Sequence, residues 1–535
     1  MIKMNKQLKK IALGIFAVFC TVTIVKAQNA LEGIRAIEVE QFESAKRIFS
    51  TLITNNPSDA DNYFYLGRAY YGQEKIDSAK LYFDKGLTVN PNSALNLVGL
   101  GSISFDIGND ADAKASFEKA VALTLAKDYR TLKYIGKAYA ELGKKNYNEA
   151  LNYLNRAKTL EPKNPEIYVS IGDVYMEQSN GSDAVKYYND ALKIDANYVN
   201  AHVRTGKLYT RALNYQEAKT AFEKAISIDA NYPPIYREYG ELELSAKKYE
   251  NAVENYKKYM DLTDKSTNSQ LRYARFLFVG KQYQESADLI KQIIPKDSSD
   301  YIIYRLLGYS SYEIKDYKVG LNAMNKFFAM GPRKILGTDY SYLGKLQVKN
   351  KLDSLGMTNI LKAIEMDTTT KELYGDLADA YFSQKKYKLA AESYEKKIEG
   401  GKPGPVDFFY VGRAYYFGLE FVKSDSAFSQ LIQQKADFAT AWLYRARNNF
   451  RIDDTDGKSD GMAKPYYEKF VELTLADPKF DVKKSGKDLI ESYKYLGDYY
   501  FTIANDKTNS KTYWLKVLEI DPNDKQAKDV LAGLK

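Results

Sequence analysis

Along this chain a small residue is repeatedly followed, four positions later, by a large apolar one. The pairs are Ala45 and Phe49, Ala79 and Phe83, Ala113 and Phe117, Ala150 and Leu154, Ala184 and Tyr188, Ala218 and Phe222, and Ala252 and Tyr256. The series continues with Ser286 and Ile290, Gly320 and Met324, Gly356 and Ile360, Ala390 and Tyr394, Ser424 and Phe428, Ala463 and Tyr467, and Ser510 and Trp514. A spacing of i and i+4 puts both members on one face of a helix. About twelve residues before each small residue stands another, the anchor: Gly33, Gly67, Gly101, Gly136, Gly172, Gly206, Gly240, Ala274, Gly308, Gly344, Ala378, Gly412, Ala446 and Gly497. Nine of the thirteen intervals between anchors are 34 residues and the others are 35, 36, 36 and 51, so the pattern is a period and not a coincidence of composition. Each period predicts two antiparallel helices, the first carrying the anchor and the second the small residue. Small residues at both places let the axes approach, and the large residue fills the groove beside them. Turns such as Asp195-Ala196-Asn197, Asp229-Ala230-Asn231 and Asp521-Pro522-Asn523, with Pro57, Pro91, Pro162 and Pro332 at the same phase, end one pair and start the next.

One helix pair cannot bury its own apolar faces, so neighbouring pairs must stack into a superhelix with a concave groove. The echo of Leu66-Gly67-Arg68-Ala69-Tyr70-Tyr71 in Val411-Gly412-Arg413-Ala414-Tyr415-Tyr416 carries the Leu-Gly and Tyr of a known pattern. With the later Ala, aromatic, Ala and Pro, the repeat resembles the tetratricopeptide repeat over about residues 29 to 535, in fourteen copies. The resemblance implies an all-α fold, a right-handed α-solenoid of about fourteen antiparallel helix pairs, closed by a capping helix from Lys525 to Leu534. Repeats seven to ten and thirteen depart from the pattern. Ser286, Gly320 and Gly356 replace Ala, and Glu243, Leu277, Ser311, Gln347 and Asn449 stand where Tyr is usual, so those repeats are expected to be the least regular.

Residues 1–27 read as a signal peptide: Lys3, Lys6, Lys9 and Lys10, an apolar run from Ile11 to Val25, and Val25-Lys26-Ala27 before a cut at Gln28. The run is shorter than the roughly 20 apolar residues of a membrane span, and Phe19 before Cys20 argues against lipid attachment. The expected destination is the periplasm of a Gram-negative bacterium, including the periphery of the outer membrane. The array then divides into 28–399 (repeats one to eleven), a Gly/Pro turn at 400–405 that is a candidate hinge, and 406–535 (repeats twelve to fourteen). Polar insertions at 452–462 and 477–487 account for the interval of 51 and are expected as exposed loops.

Composition narrows the chemistry. The chain has 535 residues, too many for one ordinary core, with one Cys and one His, which leaves no structural zinc site, no disulfide and little scope for a Ser-His or Cys-His pair. The net charge of +9 falls to +4 without the signal peptide, which gives little support to nucleic-acid binding. The acids Asp453, Asp454, Asp456 and Asp460, with Gly457 and Gly461, fit a calcium loop in neither register and read as a solvated loop. His202, at an aromatic packing phase, reads as a packed core imidazole, and most of the 47 Tyr fall at packing phases as well. No phosphate-cradling Gly loop or nucleophile elbow is present, and no cofactor is implied. Asp77-Ser78-Ala79, Asp353-Ser354-Leu355 and Asp425-Ser426-Ala427 match a short O-glycosylation sequon.

The position after each anchor, which in the resembled family faces the groove, carries Arg68, Lys137, Asp173, Lys207, Glu241, Arg275, Tyr309, Lys345, Asp379, Arg413, Arg447 and Asp498. Such a wall suits a polar or acidic peptide, so Arg68, Lys137, Asp173, Lys207, Glu241, Arg275, Tyr309, Lys345, Arg413 and Arg447 are the expected partner-binding residues. None of the fourteen repeats has the Asn that family members use at this phase to hold a chaperone C-terminus. The expected function is a non-catalytic scaffold of the cell envelope that holds segments of other envelope proteins, within secretion, gliding or outer-membrane assembly machinery. The alternative is a carbohydrate or peptidoglycan binder using aromatics such as Tyr309 and Tyr312.

Overall fold

The computed structural model describes residues 29–534 except 126, 142–145, 332–333, 368–370, 400 and 456–459. Residues 1–27, expected as a signal peptide, with Cys20, and Pro332, Gly400, Asp456 and Gly457, lie outside the described residues. Every regular element among the described residues is a helix. They form fourteen consecutive antiparallel pairs, beginning with 29–38 and Phe42–Asn55, then Ala60–Gly72 and Ile76–Val89, and ending with Val482–Thr502 and Lys507–Ile520. A last helix, Lys525–Gly533, follows at the place expected of the cap. The pairs stack as an α-solenoid in two compact units, one reaching Leu306 and one starting at Leu307.

The i, i+4 pattern becomes core as expected. Phe49, Phe83, Phe117, Tyr188, Phe222, Tyr256, Phe428 and Trp514 are almost wholly buried, each worth roughly 1.5–3 kcal/mol of transfer free energy for an aromatic or large aliphatic side chain. At the anchor the space is already taken: a Cβ on Gly67 would lie 2.4 Å from the Phe83 ring.

Three local devices recur in every part of the array. Seven residues after the anchor the backbone turns left-handed, at φ +60° for Glu74, +58° for Leu213, +64° for Lys315 and +62° for Leu419. The following N–H then donates to a carbonyl five residues back, as from Lys75 to Tyr70 (3.0 Å) and from Asp316 to Ser311 (2.8 Å), which closes the first helix of these pairs with a Schellman motif. Among the described residues a glycine occupies this turn in the third repeat, Gly108 at φ +89°. Between pairs, Asp195, Asp229 and Asp521 each accept the N–H of the Asn two residues on, at 2.9, 3.0 and 3.0 Å. Four residues before the anchor, a ring donates back into that turn: Tyr168 to the Pro162 carbonyl (3.0 Å), Tyr236 to Ala230 (2.8 Å) and Trp442 to Ala436 (2.8 Å).

His202 occupies this same phase. It is half-buried, not a core imidazole, and its Nε2 lies 3.0 Å from the Ala196 carbonyl. A carbonyl only accepts, so Nε2 carries the proton and the histidine does a tyrosine's work.

Departures from the pattern are held by compensation, in repeat eight, expected to be irregular, and in repeats twelve and fourteen as well. Ser286, Ser424 and Ser510, where Ala is usual, donate their hydroxyls to the anchor carbonyls of Ala274, Gly412 and Gly497 at 2.8, 2.9 and 2.9 Å. In repeat ten the absence of both Cβ atoms draws the helices Gly337–Lys349 and Asp353–Met366 together: a Cβ on Gly344 or on Gly356 would lie 2.8 Å from the other's carbonyl oxygen.

The insertions differ from the expected exposed loops. Residues 452–455 belong to the helix Ala439–Thr455 and residues 482–487 to the helix Val482–Thr502, so much of the added sequence lengthens helices to 17 and 21 residues. Asp453, expected as part of a solvated loop, is 6% exposed and accepts the backbone N–H groups of Asp460 (2.9 Å), Gly461 (2.9 Å) and Met462 (3.3 Å). Buried amides need acceptors, and one carboxylate serves three of them. At the Gly/Pro turn, Lys397 pairs with Asp407 at 2.8 Å, Asp407 accepts the Gly404 N–H at 3.0 Å, and Gln434 donates to the Pro403 carbonyl at 3.2 Å.

Candidate functional site

The position after the anchor is a ladder, but several of its rungs are joined to charges two residues before the next anchor. Asp173 pairs with Arg204 (3.2 Å), Lys207 with Glu238 (3.8 Å), Glu241 with Arg272 (3.0 Å) and Lys345 with Asp376 (3.2 Å). In all four the partner stands 31 residues further on and has the opposite sign. The first helix of one pair is thereby bridged to the first helix of the next. Lys137 reaches Glu166 at 3.4 Å, and the buried Lys133 reaches the same carboxylate at 2.5 Å. Burial works to raise the Glu166 carboxyl, but Lys137 and Lys133 overcome it and hold it down at about 2. Arg447 is held by Asp488 (2.7 Å) and by both oxygens of Glu491 (2.9 and 2.7 Å).

Three expected binding cations have no carboxylate partner among the described residues. Arg275 is exposed. Arg68 lies 4.4 Å over the Tyr134 ring, its position 31 residues on being Gly99. Arg413 sits among the Phe382, Phe409 and Phe417 rings at 5.3, 5.5 and 6.0 Å. Tyr309 departs from the expected groove role. It is 8% exposed, stacks on Tyr342 at 4.0 Å and donates to Asp339 at 2.7 Å, because an aromatic at this phase finds more apolar area beneath it than in front of it. Tyr312 is half-buried, and burial pushes its hydroxyl up to about 12, so neither tyrosine is an exposed sugar platform.

In the first compact unit the ladder lines an enclosed space, because the first repeat returns against the seventh. Arg35 pairs with Asp229 (2.6 Å), and Glu40 receives both Arg237 and the Tyr259 hydroxyl. Gln41 donates to the Leu262 carbonyl (3.1 Å), Asp264 accepts the Glu43 N–H (2.6 Å) and Asn268 donates to Glu74 (2.6 Å). Behind this seam lies a cavity of about 160 Å³ bordered by Glu38, Arg68, Lys137, Glu166, Arg204 and Arg237. Water touches Glu38 there while protein surrounds it on most sides, and its carboxyl is raised by desolvation. The second compact unit holds a larger cavity, of about 620 Å³, where the lengthened helices meet Tyr416 and Arg447.

Sequence reasoning found one side of each rung and missed the other: Glu166, Arg204, Glu238, Arg272 and Asp376. For all of these but Glu166, which stands 29 residues after Lys137, the recurring offset of 31 with reversed sign was the available signal. Among the described residues no three His, Asp or Glu side chains are gathered to hold a metal, and no helix is long and apolar enough to cross a membrane.

Stacked antiparallel pairs with a small-residue approach and an inward ladder of side chains define a helical-repeat solenoid of the protein-interaction class. The family description "TPR repeat" matches residues 136–179, and "Tetratricopeptide repeat" matches 31–94, 66–129, 165–198, 199–232 and 371–399. The chain belongs to the tetratricopeptide-repeat family. No curated protein matches it. Among solved structures it is similar to the C-terminal part of a TPR repeat-containing protein from Cytophaga hutchinsonii, with 31% identity, 48% of this chain and 98% of that one covered, and a TM-score of 0.42. It is also similar to a tetratricopeptide repeat protein from Parabacteroides merdae (19%, 50% and 99%, TM-score 0.33) and to a thermophilic TPR protein from Thermus thermophilus (21%, 35% and 99%, TM-score 0.31).

Proposed function

We propose that this chain is a non-catalytic scaffold of the bacterial cell envelope that holds extended or helical segments of other envelope proteins against its inner helix faces. The observation that carries the reading is the ladder. Rungs neutralised by charges of the following repeat fix the wall, and Arg275 and Arg413, left without carboxylates, are presented for a partner's acidic groups. A wall ordered beforehand spends little of the binding free energy on its own ordering. The basic and apolar segment 1–27 supports export, which places the partners in the periplasm or at the outer membrane, among secretion, gliding or assembly machinery.

The test is crosslinking and affinity capture of a C-terminally tagged chain from intact envelopes, beside a variant carrying Arg275→Glu and Arg413→Glu. A defined set of envelope proteins, depleted in the variant, is the expected result. Recovery of no protein from either form, with binding to purified cell-wall sacculi, overturns it.

A further inference from the structure

Both other acidic rungs with an ion pair, Asp173 and Glu241, meet an opposite charge 31 residues on, and the acid of the last rung does not. Asp498 follows the anchor Gly497 as Asp173 follows Gly172 and Glu241 follows Gly240. Asp173 is met by Arg204 and by the Tyr188 hydroxyl (2.8 Å), and Glu241 by Arg272. The residue 31 beyond Asp498 is Asp529, of the same sign, and Lys494, one turn before Asp498 on its own helix, is engaged by Asp524 at 2.6 Å. Asp498 is exposed and has no ion pair among the described residues. Desolvation raises its carboxyl and Lys494 only partly opposes this, the state of an acid that lacks a counter-charge.

This carboxylate borders the 620 Å³ cavity of the second compact unit, whose other walls are aromatic: Tyr416, Phe450, Tyr467, Tyr495 and Tyr499. The added sequence borders the cavity: Phe450 and Arg451 lie near the end of the lengthened helix Ala439–Thr455, and Tyr495 and Tyr499 stand on the lengthened helix Val482–Thr502. Phe450 is 44% exposed and meets Tyr495 edge-on at 5.7 Å. The guanidinium of Arg447 within it is already neutralised by Asp488 and Glu491, and Glu491 also accepts the Tyr467 hydroxyl at 3.0 Å. Arg451 lies over the Phe421 ring at 5.4 Å. Of the two carboxylates that line the cavity, Glu491 is taken by Arg447 and only Asp498 lacks a cation in contact, so the open place beside the rings is for one.

The chain itself shows which cation such a setting takes. Arg445 lies 4.4 Å over the Tyr466 ring while its guanidinium makes paired bonds of 2.9 and 3.0 Å to Asp425. A planar guanidinium stacks and pairs at once, which a compact, strongly hydrated ammonium does less well. We propose that the cavity receives an arginine side chain from a partner polypeptide, stacked against Phe450 and Tyr495 and paired with Asp498, so that the partner supplies the missing half of the last rung. This rests on the scaffold reading only in making the donor a polypeptide.

The probe is a fluorescein-labelled acetyl-Gly-Gly-Arg-Gly-Gly-amide, titrated by fluorescence polarisation with the full chain, beside the same peptide with citrulline, which keeps the shape and loses the charge. The arginine peptide is expected to bind about tenfold more tightly than the citrulline one and to lose about tenfold on Asp498→Asn or Phe450→Ala, both at exposed positions. Lys114→Glu, at an exposed position of the first compact unit, is expected to leave its binding unchanged. Equal binding of the two peptides, or full binding by Asp498→Asn, overturns the inference. Envelope capture separates the two readings. Partners retained by the wild-type chain, with no arginine-specific peptide binding, sink the cavity alone. Arginine-specific binding with no captured polypeptide sinks the scaffold and leaves a guanidinium site.

Discussion

Replacing Gly356 by alanine restores the residue most repeats carry at that phase, and the structure predicts that it destabilises the chain. The new Cβ would lie 2.6 Å from a Val348 methyl, 2.8 Å from the Gly344 carbonyl oxygen and 3.1 Å from the Val348 nitrogen. The methyl can rotate away, but the other two atoms are backbone of the facing helix Gly337–Lys349. Relief therefore requires the two axes to part by about half an ångström, which loosens the contacts of the buried Ile360 and Leu346. Alanine gains about 1 kcal/mol of helix propensity over glycine. Overpacking typically costs about 1–3 kcal/mol, and a clash with backbone belongs at the upper end, so the net loss is about 1–2 kcal/mol. Gly181→Ala is the control: it meets only a Leu208 methyl at 3.8 Å and is expected to be neutral or mildly stabilising. Because stacked repeats open locally, hydrogen exchange read by mass spectrometry over residues 337–366 is the assay, with denaturant titration beside it. Protection in Gly356→Ala equal to or above that of the wild type would refute the close-approach argument.

Glu40→Gln should weaken the seam by about 1–3 kcal/mol, since Arg237 and Tyr259 lose their shared acceptor, and should speed exchange at residues 35–43 and 259–264 together; a change at only one of the two is the contrary result. Glu166 has a folded pKa below its ordinary value of 4.5, at about 2, so the stability it supplies is complete above pH 4.5 and fades as pH falls toward 2. The wild type minus Glu166→Gln difference in unfolding free energy, from denaturant titration, should accordingly shrink over that window, by of order 2–3 kcal/mol, whereas a difference independent of pH speaks against the Lys137 and Lys133 pairing. Gly461→Ala forces a Cβ to 2.2 Å from the Tyr499 ring at φ +75°, and should cost about 2 kcal/mol or more and abolish arginine-peptide binding; intact binding with unchanged stability contradicts the geometry.

The helices and the phase of each buried side chain were legible because 34-residue periodicity is a local signal, repeated until chance is excluded. The right-hand side of the ladder was equally present as charge reversal at an offset of 31, but it becomes visible only when a residue is compared with one in the next repeat and not with its own helix neighbours. Asp453 misled by composition: its neighbours are polar, so the segment reads as solvated, whereas the burial of one carboxylate follows from three amides that converge on it. Tyr309 misled by phase, since the same position serves a charge by pointing it outward and an aromatic by folding it down on Tyr342. The seam and the aromatic cavity had no local signal at all. Glu40 and Arg237 are 197 residues apart, and nothing near either one announces the other.

A stack of repeats in which each touches only its neighbours behaves as a linear chain: either end can fray, and folding can begin anywhere. The contacts from Arg35, Glu40 and Gln41 to the seventh repeat make the first seven circular. Neither end of that ring can then peel away without first breaking a junction that closes only when all the intervening pairs are in register. Loop-closure entropy delays that junction during folding, and once formed it ties the loss of any one pair to the loss of both ends. The first seven repeats are thus expected to melt with a cooperativity that an open array of the same pairs would lack.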